Sequence, residues 1–274
     1  MAFVLVGLST TSVSDAITQI ENTLIDAGWT VAEAGPPRVL VSAADAAGRR
    51  VYVAFDTELV GTTTYIRFRL SASVDLTLKT ITAGVNIPNS ATTYPKTLRM
   101  WASEFFFIVN PVTATGASDG YPFAGGLVET PPGSDATNQP YPYVCIYPRD
   151  PAASTSAIIY FPFTSVGANA GRYGGIDPAG NVVQGNQRGG LTTGADANSD
   201  LAWTYGTPTK YTLWPCTAWI AAAPPVLVGT VPGWLMCGSY LPNGATIQVG
   251  SAQYKAFDLY QASANRKSLL VRVV

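Results

Sequence analysis

Only one segment of the chain carries apolar residues at helical spacing, and it lies near the start. Ser12 or Ser14 can cap a helix there, and Gly28 is placed to end it in the left-handed conformation. A short amphipathic helix is marginal when isolated, so this one needs a sheet to lie on. The rest of the sequence has to supply that sheet. The apolar stripe of the helix consists of Ile17, Ile20, Leu24 and Ile25.

Runs of strand-forming residues follow the helix. Residues 38–43 and 49–56 predict a hairpin. Residues 65–70 alternate between apolar and polar side chains, as in a strand with one solvent-exposed face. A short strand is also expected over residues 3–8. Residues 1–85 are therefore predicted to form a small α+β unit, in which one helix covers a β-meander.

From residue 86 onwards, short apolar runs alternate with loops that are rich in proline and glycine. This pattern predicts a mainly-β, loop-rich domain over residues 86–274. Within it, residues 167–200 predict a long glycine-rich loop, of a kind that is usually functional, interfacial or mobile. The Asn243-Gly244 pair predicts a hairpin between residues 234–241 and 245–249. Further strands are expected at residues 104–109, 143–147, 157–163 and 269–274.

Histidine is absent from the chain. Its absence excludes Ser-His-Asp and Cys-His nucleophile systems and every metal site that is built on histidine. The 16 basic and 17 acidic residues give a formal net charge of −1, so we expect no electrostatic footprint for nucleic acid or an anionic membrane. Cys145, Cys216 and Cys237 are too few and too widely spaced for a disulfide framework, and we expect reduced, buried thiols. No cofactor is predicted.

Two segments match catalytic or metal-binding motifs in part. Residues 116–120 have the G-x-S-x-G spacing of a nucleophile elbow, but the elbow needs a histidine base and a following helix. Residues 196–200 begin like a calcium loop, but Leu201 replaces the required glycine and Thr207 stands where the closing glutamate belongs. Both segments are interpreted as polar loops, so neither a catalytic site nor a metal site is predicted.

One pair of carboxylates has the chemistry for hydrolysis. Asp56 and Glu58 are two residues apart, so a strand would place both carboxylates on one face. Paired carboxylates hydrolyse glycosides without histidine. However, Arg67 and Arg69 can neutralise the pair across a hairpin, and surface ion pairing is the favoured interpretation. A histidine-free glycosidase or peptidoglycan hydrolase remains a minor alternative.

The stretch from Tyr211 to Tyr254 has 44 residues and no Asp, Glu, Lys or Arg. Charged residues make up 12% of the chain, so about five are expected in a stretch of this length. Interface cores are depleted in charge and rich in aromatic residues. The stretch is therefore predicted to lie in the core, in a subunit interface, or in both. The candidate interface residues are Trp214, Trp219, Val228 and Trp234.

Part of this stretch, residues 219–238, is long and apolar enough to cross a bilayer. Pro224, Pro225 and Pro232 would break a lone helix there and leave backbone groups unpaired in hydrocarbon. Buried strands and turns are therefore predicted, and no membrane span.

A series of short segments built around glycine and aromatic residues runs through the chain: Gly28-Trp29, 48–53, Trp101, 104–110, 121–127, Val228-Gly229 and 238–240. They comprise a Gly-Trp pair at the end of the opening helix, a hairpin, a tryptophan ahead of an aromatic strand, a glycine-bearing segment and a glycine-containing ending. In this order the chain resembles a loosely defined family of virion structural proteins from tailed bacteriophages, found among tail and tail-tip genes. The resemblance covers most of the chain, implies a structural subunit without catalysis and carries over no active-site residue. Residues 167–200 lie outside the shared pattern.

We therefore expect a non-enzymatic structural subunit of a phage tail, which builds the tail tip, baseplate or collar. Its expected partners are other copies of itself and other virion proteins, and its expected location is the virion, after synthesis in the host cytoplasm. The alternative is a β-rich receptor- or glycan-binding module of the tail that uses exposed tyrosine and tryptophan side chains.

Overall fold

The computed structural model of the chain describes residues 3–60, 63–77, 80–85, 96–112, 123–130, 143–147, 172–176, 182–183, 188–192, 213–221, 226–237, 241–242, 244–258 and 268–274. These residues contain one helix, α1, which spans Val13–Asp26, and two antiparallel sheets. In chain order the strands are β1 Phe3–Thr10, β2 Thr30–Glu33, β3 Val39–Val41, β4 Tyr52–Val60, β5 Thr63–Ser71, β6 Thr80–Val85, β7 Lys96–Ser103, β8 Phe106–Val112, β9 Phe123–Leu127, β10 Tyr143–Tyr147, β11 Arg172–Ile176, β12 Val182–Val183, β13 Arg188–Thr192, β14 Leu213–Ala221, β15 Val226–Cys237, β16 Thr246–Val249, β17 Ala252–Asp258 and β18 Ser268–Arg272.

Local signals set both ends of α1. Ser12 is the N-cap, and its Oγ accepts a hydrogen bond from the backbone N–H of Asp15 at 3.0 Å. Gly28 follows the helix with φ +103°, a conformation that glycine adopts without steric cost. Ile20 and Leu24, from the predicted stripe, are fully buried. The predicted helix is therefore confirmed.

The smaller sheet is a meander with the order β2-β3-β4-β5-β6. The predicted hairpin is formed by β3 and β4, and the predicted alternating strand is β5. On β5, Ile66, Phe68 and Leu70 are buried, whereas Arg67 and Arg69 are only partly buried on the opposite face. The predicted α+β start of the fold, with one helix on a β-meander, is confirmed.

The larger sheet has the order β1-β7-β8-β9-β10-β11-β13-β14-β15-β18-β17-β16, and β12 pairs with β11. It confirms the prediction that the rest of the chain is mainly β. Its first strand comes from the start of the chain, because β1 pairs with β7 over its full length. Strand pairing thus crosses the domain boundary that is predicted after residue 85, and that boundary stays a prediction.

Residues 100–103 of β7 and 106–109 of β8 are buried on both faces because a layer packs against each face. One face, which carries Met100 and Phe107, packs against the smaller sheet and α1. The other face carries Trp101 and Phe106, which contact Trp234 of β15. Burial on both faces explains why β8 begins with a continuous apolar run instead of an alternating one.

Four phenylalanine rings fill the space between the smaller sheet and strands β8 and β9. Phe107 is the centre of this group, and its ring centroid lies 5.6 to 6.3 Å from those of the other three. Trp29 extends the group. Its Nε1 donates a hydrogen bond to the Ser103 carbonyl oxygen at 2.7 Å. The Gly-Trp pair after α1 is therefore tied to the end of β7. The four phenylalanines are Phe55, Phe68, Phe107 and Phe123.

Three short strands, β11, β12 and β13, lie within residues 167–200, where the sequence predicts a loop. Strand pairing uses backbone groups, which glycine also carries, and Gly174 and Gly175 of β11 lie opposite Cys145 and Val144 of β10. No apolar alternation marks these strands, so sequence patterns miss them. The other residues of this segment, and the strand expected at 157–163, lie outside the described residues.

The hairpin predicted at Asn243-Gly244 is wrong. A turn is present, since the Ala245 N–H donates to the Pro242 carbonyl oxygen at 2.9 Å and Gly244 has φ +83°. However, β15 pairs with β14 and β18, whereas β16 pairs with β17. The hairpin in this region joins β16 to β17 and turns at Gly250, whose φ is +60°. A local turn signal does not determine which strands pair.

Candidate functional site

The four candidate interface residues come from two neighbouring strands. Trp214 and Trp219 belong to β14, whereas Val228 and Trp234 belong to β15. The two strands pair antiparallel, so the fold brings all four residues to adjacent strands. Two register shifts interrupt the pairing, and Val228 falls at one of them, between the partners of Ala218 and Trp219.

Trp234 belongs to the core of the protomer. Its indole is 1% exposed, and its ring centroid lies 5.1 Å from that of Trp101 and 6.4 Å from that of Phe106. The packing of β15 against β7 and β8 buries this side chain within one chain, as the core side of the prediction expects, and the interface assignment stays a prediction. The side chains of the other three candidates lie outside the described part of the structure.

Both edges of the larger sheet are strands without ionisable residues, β1 and β16. Outside the β1–β7 ladder, the backbone groups of residues 3–9 make a single hydrogen bond among the described residues, in which Ser9 O accepts from Gln19 Nε2 at 2.8 Å. Strand β1 has neither lysine nor proline, which commonly block exposed edges. Among the described residues, no further strand pairs with this edge.

The carboxylate of Asp56 on β4 is an ion-pair site. It accepts hydrogen bonds from Arg67 Nε at 2.7 Å, from Arg67 Nη2 at 2.5 Å and from Arg69 Nη2 at 2.7 Å. The predicted neutralisation of Asp56 across a hairpin is confirmed, since β4 pairs with β5. The side chain of Glu58 lies outside the described part, so its separation from Asp56 is not defined.

The other sequence motifs lie elsewhere. The G-x-S-x-G segment, 116–120, and the calcium-like segment, 196–200, are outside the described residues. Among the residues that are described, no group of three or more metal-ligating side chains is placed to hold an ion. Cys216 and Cys237 are buried thiols, and burial raises the pKa of Cys216 well above its usual value. In the same residues, no helix is long and apolar enough to cross a membrane.

A cleft of about 370 Å³ lies where the loop between β3 and β4 meets the larger sheet. The loop supplies Asp45 and Arg49, the residues that follow β9 supply Glu129, and Phe105 and Pro232 contribute apolar walls. A cleft of this size fits one small ligand or one long side chain. The sequence analysis singled out none of these residues as a binding site.

The charged groups of the loop satisfy each other. Asp45 Oδ1 accepts from the backbone N–H groups of Ala47 and Arg49, both at 2.9 Å. Asp45 Oδ2 accepts from Arg49 Nε and pairs with Nη2, both at 2.7 Å. The short Asp-to-Arg spacing around Gly48 is the one local sequence signal for this part of the cleft.

Glu129 is the remaining charged group of the cleft. Its N–H donates to the Thr230 carbonyl oxygen at 2.8 Å, and the Thr230 N–H donates back at 2.9 Å, so its backbone is fixed on β15. The residue is exposed, yet neighbouring atoms desolvate its carboxylate and raise its pKa. Among the described residues this carboxylate has no hydrogen bond or ion pair. Burial raises the pKa of the Tyr254 hydroxyl, on which Arg272 and Glu129 also act, the first lowering this pKa and the second raising it. The Arg272 guanidinium stands 5.0 Å from the Phe3 ring centroid and donates to Val274 O.

Comparison with known proteins gives no match: neither the models of protein families nor the curated protein sequences match this chain. Evidence for function therefore comes from the residues and contacts of the chain itself.

Proposed function

We propose that the protein is a non-enzymatic structural subunit of a tailed-bacteriophage virion, which builds the tail tip, baseplate or collar through contacts between subunits. The observation that carries the proposal is that β14, β15 and the two edge strands, β1 and β16, contain no Asp, Glu, Lys or Arg. The order of segments that resembles virion structural proteins supports the phage assignment.

Uncharged strands favour assembly for two reasons. An interface without ions avoids the free-energy cost of removing an unpaired charge from water. An open edge strand can also continue its sheet with a strand of the next subunit through backbone hydrogen bonds. Because β1 and β16 are the two edges of one sheet, pairing of β1 with β16 of another copy would propagate from subunit to subunit.

The alternative, a receptor- or glycan-binding module, would need exposed aromatic side chains. The tryptophans whose side chains are described, Trp29, Trp101 and Trp234, are all buried. No observation in the described part of the chain favours this alternative over assembly.

Gly7→Lys tests the open edge of β1. Gly7 is exposed, and a Cβ added there has no atom within 4 Å, so lysine fits without strain. A charge on the edge opposes pairing with another strand, and we expect self-association to weaken about tenfold. Sedimentation velocity over a range of protein concentrations measures this change. Thermal stability should change little, because the gain from replacing a strand glycine is offset by the like charge of Arg99, which lies opposite on β7.

Two control variants separate the effect of the charge from that of the added side chain and from that of its position. Gly7→Ala adds a Cβ without a charge, and Gly35→Lys adds the same charge after β2, outside the larger sheet. Both should associate like the wild type. The assembly proposal is refuted if the wild type stays monomeric at every concentration, or if Gly7→Lys associates as strongly as the wild type.

A further inference from the structure

The cleft at the end of β9 carries one uncompensated negative charge. Its charged residues are Asp45, Arg49 and Glu129, and the side chains of the first two neutralise each other through two contacts, from Arg49 Nε and Nη2 to Asp45 Oδ2. Among the described residues the Glu129 carboxylate has no hydrogen bond or ion pair, and two backbone hydrogen bonds to Thr230 fix the main chain of this residue. The cleft therefore offers one carboxylate, on a fixed main chain, that is open to a ligand.

The apolar walls define the rest of the ligand. Phe105 and Pro232 line the same cleft as Glu129, and Phe105 is only partly buried. An aromatic ring beside a carboxylate favours a cation, because the ring face attracts positive charge. An anion would be repelled by Glu129, and a neutral apolar ligand would desolvate its carboxylate further without pairing it.

We propose that this cleft binds a guanidinium or ammonium group carried on an apolar stem. The cation pairs with the Glu129 carboxylate, while the stem contacts Phe105 and Pro232. Two sources have this chemistry: an arginine or lysine side chain of a neighbouring subunit, and a free alkylamine. The site does not depend on the assembly proposal, because its charge and walls belong to one chain.

n-Butylguanidinium and n-butylurea test the site, since they have the same number of heavy atoms and differ in charge. Binding is followed by NMR through the backbone amide signals of residues 127–130 and 230. We expect the guanidinium compound to bind at least about tenfold more tightly than the urea, because a hydrogen bond to a charged group is worth more than one to a neutral group. Glu129→Gln should remove this preference.

Glu33→Gln is the matched control, because it makes the same chemical change at an exposed position on β2. It should bind both compounds like the wild type, and circular dichroism should show that both variants are folded. The proposal is overturned if the guanidinium compound binds no better than the urea, or if folded Glu129→Gln keeps the preference.

A second arm separates the two sources. Sedimentation of the wild type is compared in saturating n-butylguanidinium chloride and in sodium chloride of equal ionic strength. Loss of self-association in the guanidinium salt alone identifies a subunit side chain as the occupant. Unchanged sedimentation together with binding identifies a free cation. Both results support the site, and a failure of the Gly7→Lys test leaves the site intact.

Discussion

Gly126→Ala is expected to lower the free energy of unfolding by about 3 to 5 kcal/mol, a large part of the stability of an ordinary domain. Gly126 has φ +143°, which side chains with a Cβ rarely adopt. An added Cβ would also collide with the Phe105 carbonyl oxygen and lie 2.6 Å from Phe106 Cα. These are backbone atoms, and the Leu127 N–H fixes the approach by donating to Phe105 O at 2.8 Å.

Urea unfolding followed by circular dichroism measures this loss. Gly244→Ala is the control, since Gly244 has φ +83° but no atom within 4 Å of an added Cβ. It isolates the backbone strain and should cost about 1 to 2 kcal/mol. If Gly126→Ala is no less stable than Gly244→Ala, the close approach of β9 to the start of β8 is not as described.

Phe107→Ala should cost about 3 to 5 kcal/mol, the range for removing a buried aromatic ring. Phe107 is fully buried, and three other phenylalanine rings and Trp29 lie edge-on or tilted around it. The ring connects the smaller sheet to the larger one. Removal of the Phe107 ring therefore leaves a cavity between the two sheets and not at the edge of the core.

Urea unfolding with two probes tests this position. Tryptophan fluorescence reports on the surroundings of all six tryptophans, Trp29 beside Phe107 among them, and far-ultraviolet circular dichroism reports on the sheets. Because Phe107 lies between the two layers, its removal should shift both unfolding transitions together. Leu59→Ala provides the reference, since Leu59 is 69% exposed and should change the stability by less than about 0.5 kcal/mol. A loss below about 1 kcal/mol for Phe107→Ala would contradict its central place in the core.

The parts of the fold that the sequence predicts are those that depend on neighbouring residues. The cap at Ser12, the stripe with Ile20 and Leu24, and the glycine at position 28 lie within 17 residues and define α1. The alternation on β5 likewise reports which face is buried, because side chains in a strand alternate between its two faces. These patterns are local, so the sequence contains them directly.

Long-range pairing is the part that could not be predicted. Strand β1 pairs with β7, about 90 residues away, and no local pattern specifies that partner. The Asn243-Gly244 turn shows the same limit, because the turn forms while its flanking strands pair with others. The burial of Trp234 also depends on distant strands, which is why an apolar, charge-free stretch did not distinguish core from interface.

The cleft was missed for a similar reason. Its residues extend from Asp45 to Pro232 along the chain and meet only after the two sheets pack. Glu129 has no motif around it, and its significance comes from the absence of a partner for its carboxylate among the described residues. Whether a carboxylate has a partner depends on the residues that the fold brings around it, so no local sequence pattern can show it.

The copy number of this protein in purified phage particles tests the structural-subunit proposal most directly. Quantitative mass spectrometry, calibrated on a virion protein of known abundance in the same particles, provides the number. We predict several copies per particle, in a fixed number that the symmetry of one ring or layer sets. Particles that assemble without any copy of the protein would contradict the proposal.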